Sequence, residues 1–294
     1  MDNDDRQIGR ILRRREVLGL LGAAGGAALL VPRIGLAAPG ALRTSAQMVD
    51  ASTPMFGQDV PSCVVRPELT EGPYFVDDQL NRSDIRVEPS TGSITPGAPL
   101  ALTFNVSQIA AGSCAPLAGA QVDVWQCDAL GVYSGVRDNS FPSSTVGETF
   151  LRGYQLTDDN GVASFATIYP GWYRGRAVHI HFKIRTTAST GAAYEFTSQF
   201  FFDDALSDQV HSLEPYASKG QRDMRNASDG IYRSGGDQLL LNAVATDDGG
   251  YAASFPIGLD LSDLAVGAAD GGGGAGGSGG GRGFPPPGPP RSGR

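Results

Sequence analysis

TIYPGWYRGRAVHIHFK, residues 167–183, sets two histidines two positions apart in a strand-like run, with a tyrosine and an arginine just upstream. Successive side chains of a β-strand point to opposite faces, so His179 and His181 share one face while Val178, Ile180 and Phe182 share the other. Such a strand can bury its apolar side in a core and turn both imidazoles toward one ion. The chain has three histidines and two of them fall here. The alternative is two polar residues on a solvated strand face, and the surroundings decide between these readings.

Working outward, strand signals alternate with turn chemistry. Segments 100–106 and 121–127 alternate apolar and polar residues, and 121–127 runs through Asp128, Ala129, Leu130 and Gly131 into Val132 and Tyr133, which reads as a hairpin. Segments 154–157 and 162–168 flank Asp158-Asp159-Asn160-Gly161, and Asn-Gly accepts the positive φ of a tight hairpin turn. Segments 177–185 and 194–202 form a further pair, and 238–246 with 251–255 a closing hairpin. The polar stretch 214–228 reads as loop or short helix, and helical periodicity is scarce. The expected fold is all-β, a β-sandwich of immunoglobulin or transthyretin type with long loops.

The two ends stand apart. Residues 1–38 have the form of a targeting segment: Arg13, Arg14 and Arg15 precede an apolar run rich in Leu, Ala and Gly, and Ala37-Ala38 offers a small-residue cleavage site. The RRREVL stretch resembles a twin-arginine signal, which implies export to the periplasm or the extracellular space. The apolar run is short of the ~20 residues that span a bilayer, so no stable membrane span is expected after cleavage. Residues 39–60 read as a linker, 61–262 as a single catalytic-size domain and 263–294 as a tail. That tail, GGGGAGGSGGGRGFPPPGPPRSGR at its end, lacks side chains able to offset ordering entropy.

The formal charge is −8, and because the first 38 residues carry six Arg against three Asp and one Glu, it becomes −10 without them. An acidic domain with no basic run lacks the footprint of a nucleic-acid binder. Cys63, Cys114 and Cys127 are too few for a disulfide framework and lack the CxxC spacing of a thiolate metal site; one bridge is permitted outside the cytoplasm, and the sequence does not choose the pair.

Taken together, TEGPYF (70–75), PLAGAQVDVWQCDALGVYSG (116–135), FLRGYQLTDDNGVASFATIYPGWY (150–173), GRAVHIHFK (175–183) and TSQFFFDD (197–204) resemble the intradiol ring-cleavage dioxygenases, in the style of protocatechuate 3,4-dioxygenase β-subunits and secreted relatives. The resemblance implies a non-haem Fe(III) ion held by Tyr133, Tyr173, His179 and His181. Phenolate oxygens are hard anionic donors that favour Fe(III) over Fe(II), and imidazoles complete the set. It further implies that Tyr173 leaves the ion when a catechol binds and takes one of its protons, that Arg176 stabilises the activated ring, and that Gln199 and Tyr74 contact substrate. The partners are then a catecholic small molecule and O2, and the product a cis,cis-muconate-type diacid. Where the family often carries a Tyr-Tyr pair this chain has Tyr74-Phe75, which bears on which ring substituents fit. Trp172 and Tyr169 are candidates for lining or for packing, and His211 is expected at the surface. The competing class is a transthyretin-like or adhesin-like sandwich that binds without catalysis; it explains the strands but not the HIH pair, Arg176 or Tyr133. A zinc hydrolase lacks both an HExxH helix and a nearby carboxylate base. The substrate and any homo-oligomeric state are open.

Overall fold

Residues 64–110 and 113–263 are described by the computed structural model of the chain. The segments 1–38 and 39–60, and the tail 263–294 beyond its first residue, lie outside them. Nine strands are present among the described residues: β1 (Pro99–Ala110), β2 (Ser113–Pro116), β3 (Gln121–Trp125), β4 (Arg152–Leu156), β5 (Val162–Ile168), β6 (His179–Thr187), β7 (Ala193–Phe201), β8 (Val244–Ala245) and β9 (Tyr251–Leu259). They form two sheets. In the first, β1 pairs in parallel with β9 along one side and antiparallel with β5 and then β2 along the other, with β8 beyond β9. The second is antiparallel throughout, in the order β4-β3-β6-β7.

The sheets meet through aromatic side chains. Phe104 of β1 and Phe255 of β9 face Phe182 of β6 and Phe200 of β7, with ring centroids 4.3–5.5 Å apart across the layer. All four are essentially inaccessible, and burying each contributes roughly 1.5–3 kcal/mol. The all-β sandwich is therefore as the alternating pattern implied.

Three hairpins differ from expectation. The turn at 158–161 forms, with Gly161 at φ +74° and Asp158 N–H donating to Val162 O at 2.9 Å. Its arms do not pair: β4 joins β3 in the second sheet and β5 joins β1 in the first. Turn chemistry specifies a chain reversal locally, whereas sheet membership follows from which distant strand completes each ladder. Likewise the Asp128 carboxylate accepts from Leu130 N–H and Val132 N–H at 2.9 and 2.8 Å and makes the turn, yet Tyr133 enters no strand, because β3 is already paired with β4 and β6. The β6–β7 pair forms from His179↔Phe201 to Thr187↔Ala193. The closing hairpin is reduced to a two-residue β8 against β9, and Gly236–Leu239 is a 3-10 turn.

Among the described residues one α-helix, α1 (Asp204–His211), follows β7 and is capped by the Asp203 carboxylate, which accepts from Ala205 N–H and Leu206 N–H. The 214–228 stretch holds 3-10 turns at Tyr216–Lys219 and Asn226–Ser228. His211 is buried rather than exposed: its Nε2 lies 3.0 Å from Pro170 O and its ring stacks on Tyr216. The polar residues around it in sequence hid the aromatic partners that distant segments supply. Cys114 is disulfide-bonded, Cys127 is a buried free thiol, and Cys63 lies outside the described residues. No helix among the described residues is long and apolar enough to cross a membrane.

Candidate metal centre

β6 divides its side chains as its alternation requires. Ile180, Phe182 and Ile184 enter the sandwich core, and His179 and His181 project from the opposite face of the second sheet. Register then builds a row across that outer face: Arg152 on β4 stands opposite Trp125 on β3, Trp125 opposite His181, and His181 opposite Gln199 on β7. An outer face would normally be wet. Here the segment 64–78 and the long 126–151 loop cover it, and all four residues are 3% exposed or less.

The second covering and the turn packed against it bring in the tyrosines. Tyr133 lies on the 126–151 loop and Tyr173 on the turn that leads into β6. The two loops run backbone to backbone: Gly171 N–H donates to Asp128 O at 3.1 Å. A Cβ on Gly171 would meet Asp128 O and Ala129 O inside 3.0 Å, and one on Gly131 would meet Trp172 O just as closely. Gly131 also sits at φ +79°, so glycine at both positions allows the approach. The Tyr133 and Tyr173 rings end 5.7 Å apart and nearly perpendicular. Tyr173 Oη is 3.2 Å from His179 Nε2, which is 3.0 Å from His181 Nε2. The Tyr133 and His181 rings stand 6.3 Å apart.

His179 Nδ1 lies 2.6 Å from Ala177 O; donation to that carbonyl leaves Nε2 with its lone pair toward Tyr173 and His181. Burial, then the Arg176 charge, holds the His179 imidazole well below its ordinary pKa; burial, then His179, does the same for His181. Both are therefore neutral and ready to donate lone pairs. Burial, reinforced by Tyr173, raises the Tyr133 phenol well above its ordinary value.

The site fits a metal ion on an observation of its own. Tyr133 Oη is fully buried with no hydrogen-bond partner in the protein, an arrangement that costs ~1–3 kcal/mol for a hydroxyl left unsatisfied. A cation removes that cost and makes the phenolate the favoured form. The 3.0 Å between the two Nε2 atoms matches two nitrogens each ~2.1 Å from one ion and about a right angle apart. The donor set is two phenol oxygens and two imidazoles, so among the described residues no cluster of three or more His, Cys, Asp or Glu accounts for it. Hard oxygen and imidazole donors of this kind suit a trivalent iron.

Arg176 stands beside this group. Its Nη2 donates to Gln199 Oε1 at 2.6 Å, its Nη1 lies 3.5 Å from Tyr173 Oη, and its Nε donates to Asp229 Oδ2 at 3.0 Å. Gln199 Nε2 in turn donates to Thr70 O. Tyr74 stacks on Tyr133 at 4.4 Å, meets Tyr173 edge-on at 5.9 Å, and donates its hydroxyl to Asp138 at 2.6 Å. All seven sequence-identified residues thus gather in one place. Tyr169 does not: it packs on Phe202 and bonds Ser207 on α1. Trp172 lines an open cleft of about 530 Å³ beside Tyr173, with Leu130, Val132, Phe141 and Lys219.

Two residues escaped the sequence reading. Arg152 is a buried cation that donates to Ser134 Oγ and O and to Tyr74 O, tying together the loops that carry Tyr133 and Tyr74; desolvation lowers its pKa to about 10. It lies in the FLRGYQ motif, which was the available signal. Asp229 is 1% exposed. Burial opposes its ionised form, but the Arg176 charge and backbone N–H donors win and hold the carboxyl below its ordinary range. It stands far from Arg176 in sequence, in a polar stretch with no periodicity, and nothing local marks it.

Comparison with known proteins places this geometry in a family. A family profile described as "Dioxygenase" matches residues 70–218. An intradiol ring-cleavage dioxygenase from Tetranychus urticae is 32% identical in sequence and superposes with a TM-score of 0.57 over 68% of this chain and 96% of that one. A further dioxygenase crystal structure is also 32% identical, with a TM-score of 0.58 over 68% and 95% of the two chains. Catechol 1,2-dioxygenase of Candida albicans is 36% identical over 107 residues, 35% of this chain and 31% of that protein, so the chain matches about a third of the length of that relative. With the profile spanning half of its residues and a relative of known structure matched almost end to end, the chain belongs to the intradiol ring-cleavage dioxygenase family.

Proposed function

We propose that the protein is a non-haem Fe(III)-dependent dioxygenase that opens the ring of catechol-type diphenols between the two hydroxylated carbons with O2, giving a cis,cis-muconate-type diacid. The observation that carries this reading is the convergence of Tyr133, Tyr173, His179 and His181, with the Tyr133 hydroxyl buried and otherwise unpartnered. When bound there, a ferric ion supplies Lewis-acid activation of the diol and a route for ring electron density toward O2.

The chain's own residues do the rest. Tyr173 is half-buried at the edge of the cleft, and its Oη is the atom placed to take a catechol proton. The Arg176 guanidinium, 3.5 Å from that oxygen, favours the anionic form of tyrosine or bound ring and stabilises charge that develops on the ring. Gln199 fixes one end of that guanidinium. Tyr74, stacked on Tyr133 and tied to Asp138, covers the buried tyrosine from water. The open cleft beside Tyr173 leaves space for ring substituents. Residues 1–38 support a further proposal, export by a twin-arginine-type signal before action in the periplasm or outside the cell.

The test is the visible spectrum and iron content of the purified protein before and after anaerobic catechol, followed by O2 uptake and product analysis. A tyrosinate-to-Fe(III) charge-transfer band that shifts with catechol, and is lost together with iron in His179→Ala or His181→Ala, is the expected result. A protein that stays colourless after iron loading sinks the reading and favours a sandwich that binds without catalysis.

A further inference from the structure

Asp229 uses both carboxylate oxygens, and it uses them for different things. Oδ1 accepts from Ile231 N–H at 2.7 Å and Tyr232 N–H at 3.0 Å, closing the turn that follows the Asn226–Ser228 3-10 segment. Oδ2 accepts from Arg176 Nε at 3.0 Å and from Ala177 N–H at 2.7 Å. The Ala177 carbonyl, in turn, faces His179 Nδ1 at 2.6 Å. One carboxylate oxygen therefore holds the Nε corner of the guanidinium and one end of the residue whose other end orients a histidine.

A guanidinium is planar, so fixing Nε and one terminal nitrogen fixes the plane. Asp229 holds Nε, Gln199 holds Nη2, and the remaining corner, Nη1, is the one that faces Tyr173 Oη. Without the carboxylate, Arg176 keeps its charge but gains rotation about its long side chain. We infer that Asp229 is the positioning residue that aims Arg176 at Tyr173 and, through Ala177, seats His179. It touches neither substrate nor ion in this role. The inference rests on the proposed function for its kinetic consequence, though not for the anchoring itself.

Asp229→Asn separates the two jobs, because the amide oxygen can still close the turn at Ile231 and Tyr232 while the amide nitrogen confronts two donors at the Oδ2 position. On the iron-loaded protein the expected result is a fall in kcat of about 10- to 100-fold with iron content retained, and a smaller change in KM, the split of an interaction that matters most in the transition state. In an Arg176→Lys background, where no planar fork remains to be aimed, the further loss from Asp229→Asn is expected to shrink to less than about 3-fold. Equal loss in both backgrounds, or wild-type kcat in Asp229→Asn, overturns the inference. Exchange of the Ala177 amide hydrogen in the same proteins checks the anchoring without turnover. It is expected to quicken at least about tenfold in Asp229→Asn with the global unfolding midpoint little changed, and unchanged exchange overturns the inference even if the wild type proves inactive. Absence of ring cleavage by the wild type is instead a failure of the proposed function.

Discussion

His179 and His181 are kept neutral by burial, and that choice has a pH signature. Their folded-state pKa values lie below the ordinary 6.5, mainly through desolvation and secondarily through Arg176 for His179 and through His179 for His181. Below pH ~6.5 the unfolded chain takes up protons that the folded chain refuses, so stability present above that pH is lost as pH falls toward the folded values. In chelator-treated protein the thermal midpoint is expected to drop between pH 7 and pH 5, each imidazole contributing up to ~1.4 kcal/mol per pH unit. A His179→Asn/His181→Asn variant should show a shallower fall; parallel curves would remove the two histidines as its cause. At this scale the sequence was informative, because strand alternation alone assigns both imidazoles to one face. The tautomer that points Nε2 inward was not legible, since it depends on the backbone carbonyl of Ala177.

At the scale of elements, the site is a strand covered by two loops, and the covers are fastened by polar contacts. Lys183 pairs with Glu71 at 2.5 Å and Glu195 at 3.3 Å, and Arg185 with Asp77 at 2.9 Å and Asp123 at 2.7 Å. Both cations lie over the Phe75 ring, at 4.8 and 5.8 Å from its centroid. These contacts hold the 70–78 segment on the outer face of the second sheet, next to Tyr74. The other cover depends on the crossing at Gly171. Gly171→Ala places a Cβ against two backbone carbonyls that cannot move independently, so a loss of roughly 1–3 kcal/mol with reduced iron retention is expected in denaturant melts and metal analysis. Gly175→Ala, at φ +83° with no atom within 4 Å of the added Cβ, should cost about 1–2 kcal/mol from backbone strain and keep iron. Equal effects at the two positions would mean that close approach of the loops is not what Gly171 provides. The PGWY stretch marks this turn in the sequence, but only the packed structure shows which backbone it touches.

For the whole molecule, the sandwich is a platform whose core runs as far as Leu261 among the described residues. Leu259 and Leu261 are buried, and Leu261 O accepts from Ser189 near the end of the described chain. Deletion of 267–294 is expected to leave the unfolding midpoint and turnover unchanged, as measured by calorimetry and O2 uptake; a clear loss of either would show that the tail contributes to the folded domain. By itself the sequence determined what short-range periodicity and side-chain chemistry can carry. Alternation makes strands, Asn160-Gly161 reverses the chain, His179 and His181 share a face, and the resemblance assembles Tyr133, Tyr173, Arg176, Gln199 and Tyr74 around them. The tertiary structure decided the rest. It set β4 and β5 in different sheets although a tight turn joins them, because each completes a ladder with a partner from elsewhere in the chain. It buried His211 against Tyr216, gave Arg152 two loops to tie, and brought Asp229 to Arg176 from 53 residues away. Such contacts leave no local pattern, since a buried charge is specified by the partner that satisfies it, and that partner is chosen only when the distant segments pack.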